Sequence, residues 1–444
     1  MRILHISTRL ILGGSQENTI LSCEGQARMG DRVHLAFGPI YGPEGSMLKR
    51  VEAFNHRCKT GEETTRDGKP ACPITMHTVP HLKREINPWN DFRCYGELKK
   101  LIARIMPDVV HTHSSKAGIL GRAAAWTVLK SQGRSPALMV MGVPTTARAT
   151  PRVVHTIHGP PFMPVQGTGS QRLKTRIANA IYTYAERYAA KRCHAIISVA
   201  DAMTRQFLER GIGRREQYVT VYSGMEVNEF LLPEEGEQRK LTRAGLGLSN
   251  DDFVIGTVSR LAEHKGHDDL LDALHEQLKA NRNWKLLWAG DGWWRSRLIE
   301  KARSLGLQVE TRPYEAHHLT THSDAHIVLT GLVPPEDVPP LIRAMDVLAH
   351  PSYREGLPRT VPQALLCSVC PVAYDVDGTG EICREMETGR LVPPGNLDKL
   401  REAIVWCADQ PVARAALALR GRIECAEKFD AHAMVTALER VYER

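Results

Sequence analysis

The segment FVIGTVSRLAEHKGHDDLLDAL, residues 253–274, decides the fold class. It starts as a short apolar run rich in β-branched residues, passes through a glycine-containing loop, and continues as a helical pattern near Asp268. Units of the same kind recur before and after it. A strand, a loop and a helix repeated in this order predict parallel sheets covered by helices on both faces. The sequence therefore predicts an α/β protein with doubly wound sheets.

The repeats indicate two domains. The pattern restarts near Phe253, after the charged, glycine-containing segment 232–251, and 444 residues suffice for two domains of about 200 residues each. We predict one domain over 1–222 and a second over 223–426, with a final helix over 427–444. In doubly wound sheets ligands bind at the carboxyl ends of strands, so the loops that follow the strands hold the candidate site residues.

The composition, 42% hydrophobic and 24% charged, is that of an ordinary globular protein. The opening MRILHIST predicts a first strand rather than a signal peptide, and no uncharged apolar run approaches the roughly 20 residues that cross a bilayer. Ten cysteines without an export signal indicate reduced thiols. We expect a cytoplasmic protein.

The net charge of +8 conceals an asymmetry between the two halves. Residues 1–225 contain 32 Lys and Arg against 16 Asp and Glu, and residues 226–444 contain 26 against 34. A basic half predicts an anionic partner, either nucleic acid or an anionic membrane surface, although solvated surface charge gives the same tally. We expect no nucleic-acid partner, because no aromatic-interleaved basic patch or known module is found.

Three segments interrupt the repeats. Residues 57–73 predict a polar surface loop, and residues 131–151 have no clear period. Residues 309–326 would place three histidines on one face if they form a helix: His318, His322 and His326. Such a face could bind a metal, but no acid or cysteine cluster accompanies it, and a solvated polar insert is the alternative.

Two cations follow the strand that opens at Phe253. Arg260 and Lys265 precede a helix, where a positive charge is electrostatically unfavourable, so a ligand role is favoured over a purely structural one. A planar guanidinium and a mobile ammonium suit a diphosphate. Glycine loops end two further strands and could approach a ligand or the edge of a nucleobase: Gly290, and Gly331, Leu332 and Val333.

The stretch SYREGLPRTVPQALL, residues 352–366, places an acid on a glycine turn before a helix. Glu355 can accept hydrogen bonds from hydroxyls while N–H groups at the helix start face an anion, although a carboxylate at a helix start also has a structural explanation. Gln363 lies near the same face and offers an uncharged carbonyl acceptor. The combination predicts a ligand with sugar hydroxyls and phosphates.

Taken with SRL…KG and GDG, this stretch resembles the family 4 retaining glycosyltransferases of the GT-B fold. Similar motifs occur in the first half: GGSQENTI (13–20), REINPWNDF (84–92), PDVVHTHSSKAGILGR (107–122), VVHTIHGPPF (153–162) and YSGMEVNEF (222–230). The resemblance covers the chain apart from the three interrupting segments. It implies two Rossmann-like domains facing a cleft, the first for the acceptor and the second for a nucleotide sugar, with the last helix crossing back to the first domain.

The resemblance also implies roles for single residues. Arg260 and Lys265 would hold the donor diphosphate, and Glu355 would contact the donor sugar, with His158 beside the transferred sugar. The N–H groups after the glutamate, at Gly356 and Leu357, would approach sugar and phosphate. Glycines in the first loop would admit the donor phosphate: Gly13 and Gly14.

One position departs from the family pattern. Gln363 stands where a second glutamate usually binds the ribose hydroxyls, which predicts a nucleotide contact weaker by about 1 kcal/mol. We expect no metal at Asp375–Asp377, although the pattern mimics a metal motif of another glycosyltransferase fold, and we expect the cysteines of CSVC (367–370) to be small buried residues.

The sequence thus predicts a retaining, metal-independent glycosyltransferase without a cofactor. It would move a sugar from a nucleotide sugar to a saccharide or lipid-linked acceptor in exopolysaccharide or lipopolysaccharide assembly, with its basic domain on the inner face of the membrane. Two alternatives stay open. One is an epimerase or hydrolase of the same architecture acting on nucleotide sugars, and the other is a non-catalytic binding protein that has lost its donor site.

Overall fold

The computed structural model describes residues 1–41, 45–131, 151–162, 169–232, 236–314 and 321–444. These residues form two compact units. The first unit comprises Met1–Met225 together with Ala431–Arg444, and the second comprises Glu226–Asp430. The boundaries expected from the sequence, 222 and 426, lie beside those of the units.

The first unit is built on a seven-stranded parallel sheet of order β3-β2-β1-β4-β5-β6-β7. Its strands are β1 Arg2–Ser7, β2 Arg32–Phe37, β3 Thr75–Thr78, β4 Val109–His113, β5 Arg152–Ile157, β6 Ala195–Ser198 and β7 Tyr218–Thr220. Its helices are α1 Gly14–Arg28, α2 Leu48–Thr60, α3 Pro88–Ile105, α4 Ser115–Ser131, α5 Gly169–Ala190 and α6 Asp201–Glu209, with the C-terminal α15 Ala431–Glu443. The strand order reverses between β1 and β4.

The second unit repeats this architecture, with the order β10-β11-β9-β8-β12-β13-β14. Its strands are β8 Phe253–Val258, β9 Trp284–Ala289, β10 Val309–Thr311, β11 Ile327–Gly331, β12 Val347–His350, β13 Cys370–Tyr374 and β14 Arg390–Val392. Its helices are α7 Val227–Leu231, α8 Gly236–Gly245, α9 His267–Ala280, α10 Arg295–Ser304, α11 Val338–Arg343, α12 Thr360–Leu366, α13 Leu397–Asp409 and α14 Pro411–Lys428. The predicted parallel α/β fold is confirmed, and here the order reverses between β8 and β12.

The C-terminal helix α15 packs on the first sheet, as predicted. Its side chains Met434, Val435 and Leu438 are buried in one core with residues of β1, α1 and β5. Close packing against α1 depends on Gly25, because a Cβ there would lie 2.5 Å from a methyl group of Val435. Burial of this apolar helix face stabilises the unit by removing it from water.

Two predictions about the interrupting segments need correction, and one cannot be judged. Residues 57–60 form the end of α2 rather than a loop. His322 and His326 do not share a helix face, because residues 321–326 are not helical, and His318 lies outside the described residues. Ser323 explains this local structure, since its hydroxyl accepts from the N–H of Ala325 and so competes with helix formation. Almost all of 131–151 also lies outside the described residues.

The cysteines of the CSVC motif, Cys367 and Cys370, are buried and free, as predicted. No helix of the described part of the chain is both long enough and apolar enough to cross a membrane.

Candidate active site

Two charged side chains meet at the point where the second sheet reverses its strand order. Lys265 follows β8 and Glu355 follows β12, and Lys265 Nζ lies 2.5 Å from Glu355 Oε1. The two side chains are 14% and 12% exposed. Ligands of open α/β sheets bind in the crevice at such a reversal, so the ion pair marks the candidate donor site of this unit.

The loops that carry this ion pair are held together by a glycine. Gly266 has φ +70°, and a Cβ there would lie 2.0 Å from the carbonyl oxygen of Pro351. The neighbouring carbonyl of His264 accepts two hydrogen bonds, from the hydroxyl of Ser352 at 3.0 Å and from the N–H of Tyr353 at 2.8 Å. A residue with a side chain at position 266 would therefore push apart the loops that position Lys265 and Glu355.

Glu355 is also fixed from two other directions. Its Oε1 accepts from His350 Nε2 at 3.1 Å, and its backbone N–H donates to Asp377 Oδ2 at 2.7 Å. Burial alone would raise the pKa of Glu355, but the ammonium of Lys265 and the hydrogen bond from His350 outweigh it and hold the pKa well below its ordinary value. Glu355 is thus an anion whose Oε2 accepts no hydrogen bond from the described residues.

The turn after Glu355 presents backbone donors. Within the part of the chain that the structure describes, the N–H groups of Gly356 and Leu357 have no acceptor. The helix that follows, α12, is only seven residues long. Gln363 lies in this helix with 7% of its surface exposed. The structure therefore places all four predicted residues on one turn and one helix.

The remaining predicted donor residues lie in neighbouring loops of the same sheet edge. Arg260 is exposed on the loop after β8. Gly290, after β9, is pressed against this loop, because a Cβ there would lie 2.1 Å from the carbonyl oxygen of Ser259. Gly290 also forms a bridge with Gly331 at the end of β11. Exposed backbone follows this bridge: Leu332, which is 50% exposed, and the half-buried Val333.

In the first unit the predicted residues also follow strands. Gly13 and Gly14 lie at the start of α1, after β1. The backbone of Gly13 is extended, with φ 173°, so no local strain requires a glycine there. His158 follows β5 and is half-buried, and its Nε2 lies 3.0 Å from His113 Nδ1.

His158 belongs to a hydrogen-bonded chain of mostly buried side chains that the sequence analysis missed. His113 Nε2 lies 2.9 Å from His5 Nδ1, and His5 Nε2 lies 2.7 Å from Gln26 Oε1. Gln26 then donates to the hydroxyl of Tyr442, which is 2.6 Å from His111 Nδ1. The chain thus connects β1, β4 and α1 to the C-terminal helix. The quoted motifs contained these histidines, but only the pairing of β1 with β4 brings them together.

The buried histidines are neutral at physiological pH. Burial lowers the pKa of His5 to about 4, and burial with mutual repulsion holds the pKa values of His111 and His113 well below the ordinary value. One nitrogen of each ring lies within 4.8 Å of the others, so the three could ligate a metal ion. Every one of the six ring nitrogens already has a hydrogen-bond partner, and a metal would have to replace several of these bonds.

Comparison with known proteins gives the family. The model for Glycosyltransferase Family 4 matches residues 12–229, and the model for Glycosyl transferases group 1 matches residues 252–410. These two matches correspond to the two halves of the chain, one to each sheet, and together they contain all the residues that the sequence predicted for the site.

Curated relatives and solved structures agree with this family assignment. The chain is 26% identical over 61% of its length to 2-deoxystreptamine glucosyltransferase of Streptomyces kanamyceticus, of which it spans 65%. It is 25% identical to UDP-Gal:alpha-D-GlcNAc-diphosphoundecaprenol alpha-1,3-galactosyltransferase of Escherichia coli, over 75% of both chains. The structure of Anabaena HepE in complex with UDP and glucose matches all of this chain and 99% of that one, with TM-score 0.70 and 18% identity. This last likeness shows the fold alone.

Proposed function

The chain belongs to glycosyltransferase family 4, and from that premise we propose that it transfers a sugar from a nucleotide sugar to a saccharide or lipid-linked acceptor, with retention of configuration and without a metal. The observation that carries the proposal is the Lys265–Glu355 ion pair at the reversal of the second sheet. Relatives that act on saccharide and lipid-linked acceptors support the acceptor class. We place the reaction in polysaccharide assembly at the cell envelope.

The charges of this site suit departure of a nucleoside diphosphate. As the bond from sugar to phosphate breaks, negative charge grows on the diphosphate and positive charge on the sugar ring. Arg260 and Lys265 would stabilise the leaving group, together with the N–H groups of Gly356 and Leu357. These groups would supply the positive charge that a metal supplies elsewhere, so we propose that no metal is needed.

Glu355 would bind the donor sugar through the oxygen that Lys265 does not occupy. Oε1 already accepts from Lys265 and His350, which leaves Oε2 for sugar hydroxyls. A carboxylate bound by an ammonium and an imidazole is a weak nucleophile, which favours this hydroxyl-binding role over a covalent one. Retention would then arise from attack on the face from which the diphosphate leaves.

The histidine chain defines the proposed role of His158. Because Gln26 Oε1 can only accept, His5 donates from Nε2 and accepts at Nδ1. His113 must then donate from Nε2 and accept from His158 Nε2–H. In its neutral form His158 therefore keeps Nδ1 unprotonated, so a hydroxyl of the transferred sugar would bind this nitrogen as the hydrogen-bond donor.

A nucleotide screen followed by product analysis tests this proposal. UDP, GDP, ADP and their common sugars should be screened by thermal shift with and without EDTA, since a ligand of the folded state raises the melting temperature. We expect one nucleotide to raise the melting temperature to the same extent with and without EDTA. We also expect the new glycosidic bond of the product to have the anomeric configuration of the donor. Glu355→Gln and Lys265→Ala should lose transfer, while Glu300→Gln and Lys240→Ala, at exposed sites of the same unit, should retain it. Absence of any shift at millimolar nucleotide would contradict the proposal.

We also propose that the first unit docks on an anionic membrane through α5. One stripe of this helix exposes large apolar side chains at helical spacing: Leu173 59%, Ile177 52%, Ile181 59%, Tyr184 76% and Tyr188 44%. The flanking charges are basic, at Arg172, Lys174, Arg176, Arg187 and Lys191. The helix has a single acid, Glu186, which is buried against Arg122. An apolar stripe with basic flanks fits the interface of an anionic bilayer.

Vesicle co-sedimentation tests the docking. We expect binding to phosphatidylglycerol vesicles that falls with added salt, and weak binding to phosphatidylcholine. Ile177→Ser with Ile181→Ser should lower the affinity about tenfold through lost apolar burial. Leu419→Ser with Ile423→Ser is the matched control, because these residues are equally spaced on α14 of the second unit and are 55% and 63% exposed. Equal loss in both variants would contradict docking through α5.

A further inference from the structure

A basic cavity lies at the opposite edge of the first sheet from His158 and the glycines of the first loop. Its volume is about 540 Å³, and its lining comes from the first residues of β1 to β3, the segment before β3 and the end of α3. The lining includes Arg2, Arg32, His34, Cys72, His77 and Arg104. Among the described residues, none of the side chains that line it is a carboxylate. The candidate site uses the carboxyl ends of the strands, so this cavity is separate from it.

The strand register brings the positive charges together. Arg2 of β1 pairs directly with Arg32 of β2, and His34 pairs with Thr75 of β3. Side chains at paired positions of parallel strands point to the same face, and alternate residues return to it. Like charges directly opposite each other on a sheet are destabilising. The stability of the sheet therefore does not explain why Arg2 is paired with Arg32.

The arginines are not neutralised by nearby acids. Arg2 donates to the carbonyl oxygen of Ile105 at 2.5 Å. The side chains of Arg32 and Arg104 are exposed and make no ion pair or hydrogen bond with the described residues. Asp31, which precedes Arg32 in the sequence, accepts from the N-terminal ammonium, and Asp108 accepts from the backbone N–H of Arg2.

The two histidines of the cavity are uncharged and paired. His34 Nδ1 lies 3.0 Å from His77 Nε2, and the rings stack with centroids 5.3 Å apart. Burial, His77 and Arg2 lower the pKa of His34 to about 4, and burial and Arg104 lower the pKa of His77. A bound anion would favour the protonated form of this pair, so the cavity can gain further positive charge when it is filled.

We propose that this cavity binds a phosphate group carried by a small molecule or a lipid headgroup. Three guanidinium groups and two imidazoles offer the planar, charge-assisted donors that phosphate oxygens accept. The volume exceeds that of phosphate alone and lies in the range of ligand pockets, so it leaves room for a sugar-sized body. This inference does not depend on glycosyl transfer, because none of its residues belongs to the proposed donor site.

Cys72 provides a local test. It lines the cavity and is the one exposed cysteine of the ten, the other nine being buried. The rate of its alkylation by iodoacetate, which is an anion, is divided by the rate with neutral iodoacetamide, and this ratio cancels the thiolate fraction. Dividing the ratio by that of N-acetylcysteine removes the intrinsic difference between the two reagents. We expect the normalised ratio to be raised about tenfold by the surrounding arginines. Inorganic phosphate should reduce it more than sodium chloride of the same ionic strength.

Variants test whether the arginines of the cavity cause the raised alkylation ratio of Cys72 and its protection by phosphate. Arg32→Gln with Arg104→Gln should bring the ratio to that of the free thiol and abolish protection by phosphate, with a melting temperature that does not fall, since the repulsion between Arg2 and Arg32 is removed. Lys99→Gln with Lys100→Gln removes the same charge from exposed positions of α3 and should change neither. Lys265→Ala should also leave protection intact, which separates this site from the donor site.

The source of the phosphate follows from parallel reactions. Protection of Cys72 by glucose 1-phosphate but not by phosphatidic acid vesicles indicates a soluble ligand, and the reverse indicates a lipid headgroup. A ratio equal to that of the free thiol overturns the proposal. So does the absence of protection by inorganic phosphate, glucose 1-phosphate and the vesicles alike, or protection that persists in the Arg32 and Arg104 variant.

Discussion

Replacing Lys265 by Met should destabilise the second unit more than replacing both partners of its ion pair. The variant leaves Glu355, 12% exposed, without the ammonium that now lies 2.5 Å away. Breaking a fully buried pair costs about 3–5 kcal/mol. Because both side chains keep some contact with solvent and His350 still donates to Oε1, we expect a loss of about 2 kcal/mol. Lys265→Met with Glu355→Gln should lose less than about 1 kcal/mol, since no buried charge remains.

The stability difference between the natural protein and Lys265→Met should depend on pH, and the pKa of Glu355 sets the direction of this dependence. In the natural protein the pKa of Glu355 is held below the ordinary value of 4.5, so its contribution to stability is present above that value and lost as the pH falls. In Lys265→Met burial prevails and raises the folded pKa, so the variant loses stability as the pH rises. The gap between the two proteins should therefore be widest near pH 7–8, narrow as the pH falls through the raised pKa of the variant, and close only below the lowered pKa of Glu355 in the natural protein.

Urea unfolding followed by tryptophan fluorescence measures this gap, since five of the seven tryptophans belong to the second unit. Lys240→Met, at an exposed position of α8, is the matched control and should show no gap at any pH. The reasoning is refuted if the double variant is as unstable as Lys265→Met at pH 7.5, or if the gap stays constant down to pH 4. Either result would mean that Glu355 does not experience the charge of Lys265.

Three further changes test neighbouring parts of the two units. Gln363→Glu should tighten nucleotide binding about fivefold, measured by calorimetry, because a carboxylate restores the charge-assisted contact with ribose hydroxyls. Gly266→Ala should lower the melting temperature and weaken nucleotide binding, since its Cβ would lie 2.0 Å from the carbonyl oxygen of Pro351, whereas Gly306→Ala, at φ +80° with only Lys279 Cδ at an ordinary contact distance of 3.9 Å, should cost only about 1 kcal/mol. Tyr442→Phe should destabilise the first unit by about 2 kcal/mol in thermal unfolding, because Gln26 and His111 each lose a buried partner.

Much of the second unit could be predicted because its residues belong to local patterns. The strands at 253–258, 284–289 and 347–350 follow from apolar runs, and the loops after them contain Lys265, Gly290 and Glu355 respectively. The three-dimensional contact between Lys265 and Glu355 depends on strand order, however, which a single sequence does not give. The histidine spacing in 309–326 misled for the opposite reason, since a spacing of four places residues on one face only if a helix forms.

The residues that were missed share a position in the fold. His113 is the last residue of β4 and His350 the last residue of β12. In each sheet this strand adjoins the first strand of the unit, across the point where the order reverses. Each histidine is buried and hydrogen-bonded to a candidate site residue, His113 to His158 and His350 to Glu355.

This correspondence explains why both were overlooked. A histidine at the end of an apolar run is predicted as part of the strand. The hydrogen-bond partners of its side chain can be identified only when the neighbouring strand is known. Parallel strands bring their carboxyl ends to one edge, so the last side chain of this strand must lie under whatever the adjacent loops place there. In both units the imidazole offers one nitrogen to the site residue and the other to a fixed partner, His5 or Thr360. The same sheet position thus orients a candidate site residue in two domains whose candidate residues differ, which makes it a property of the strand order rather than of either motif.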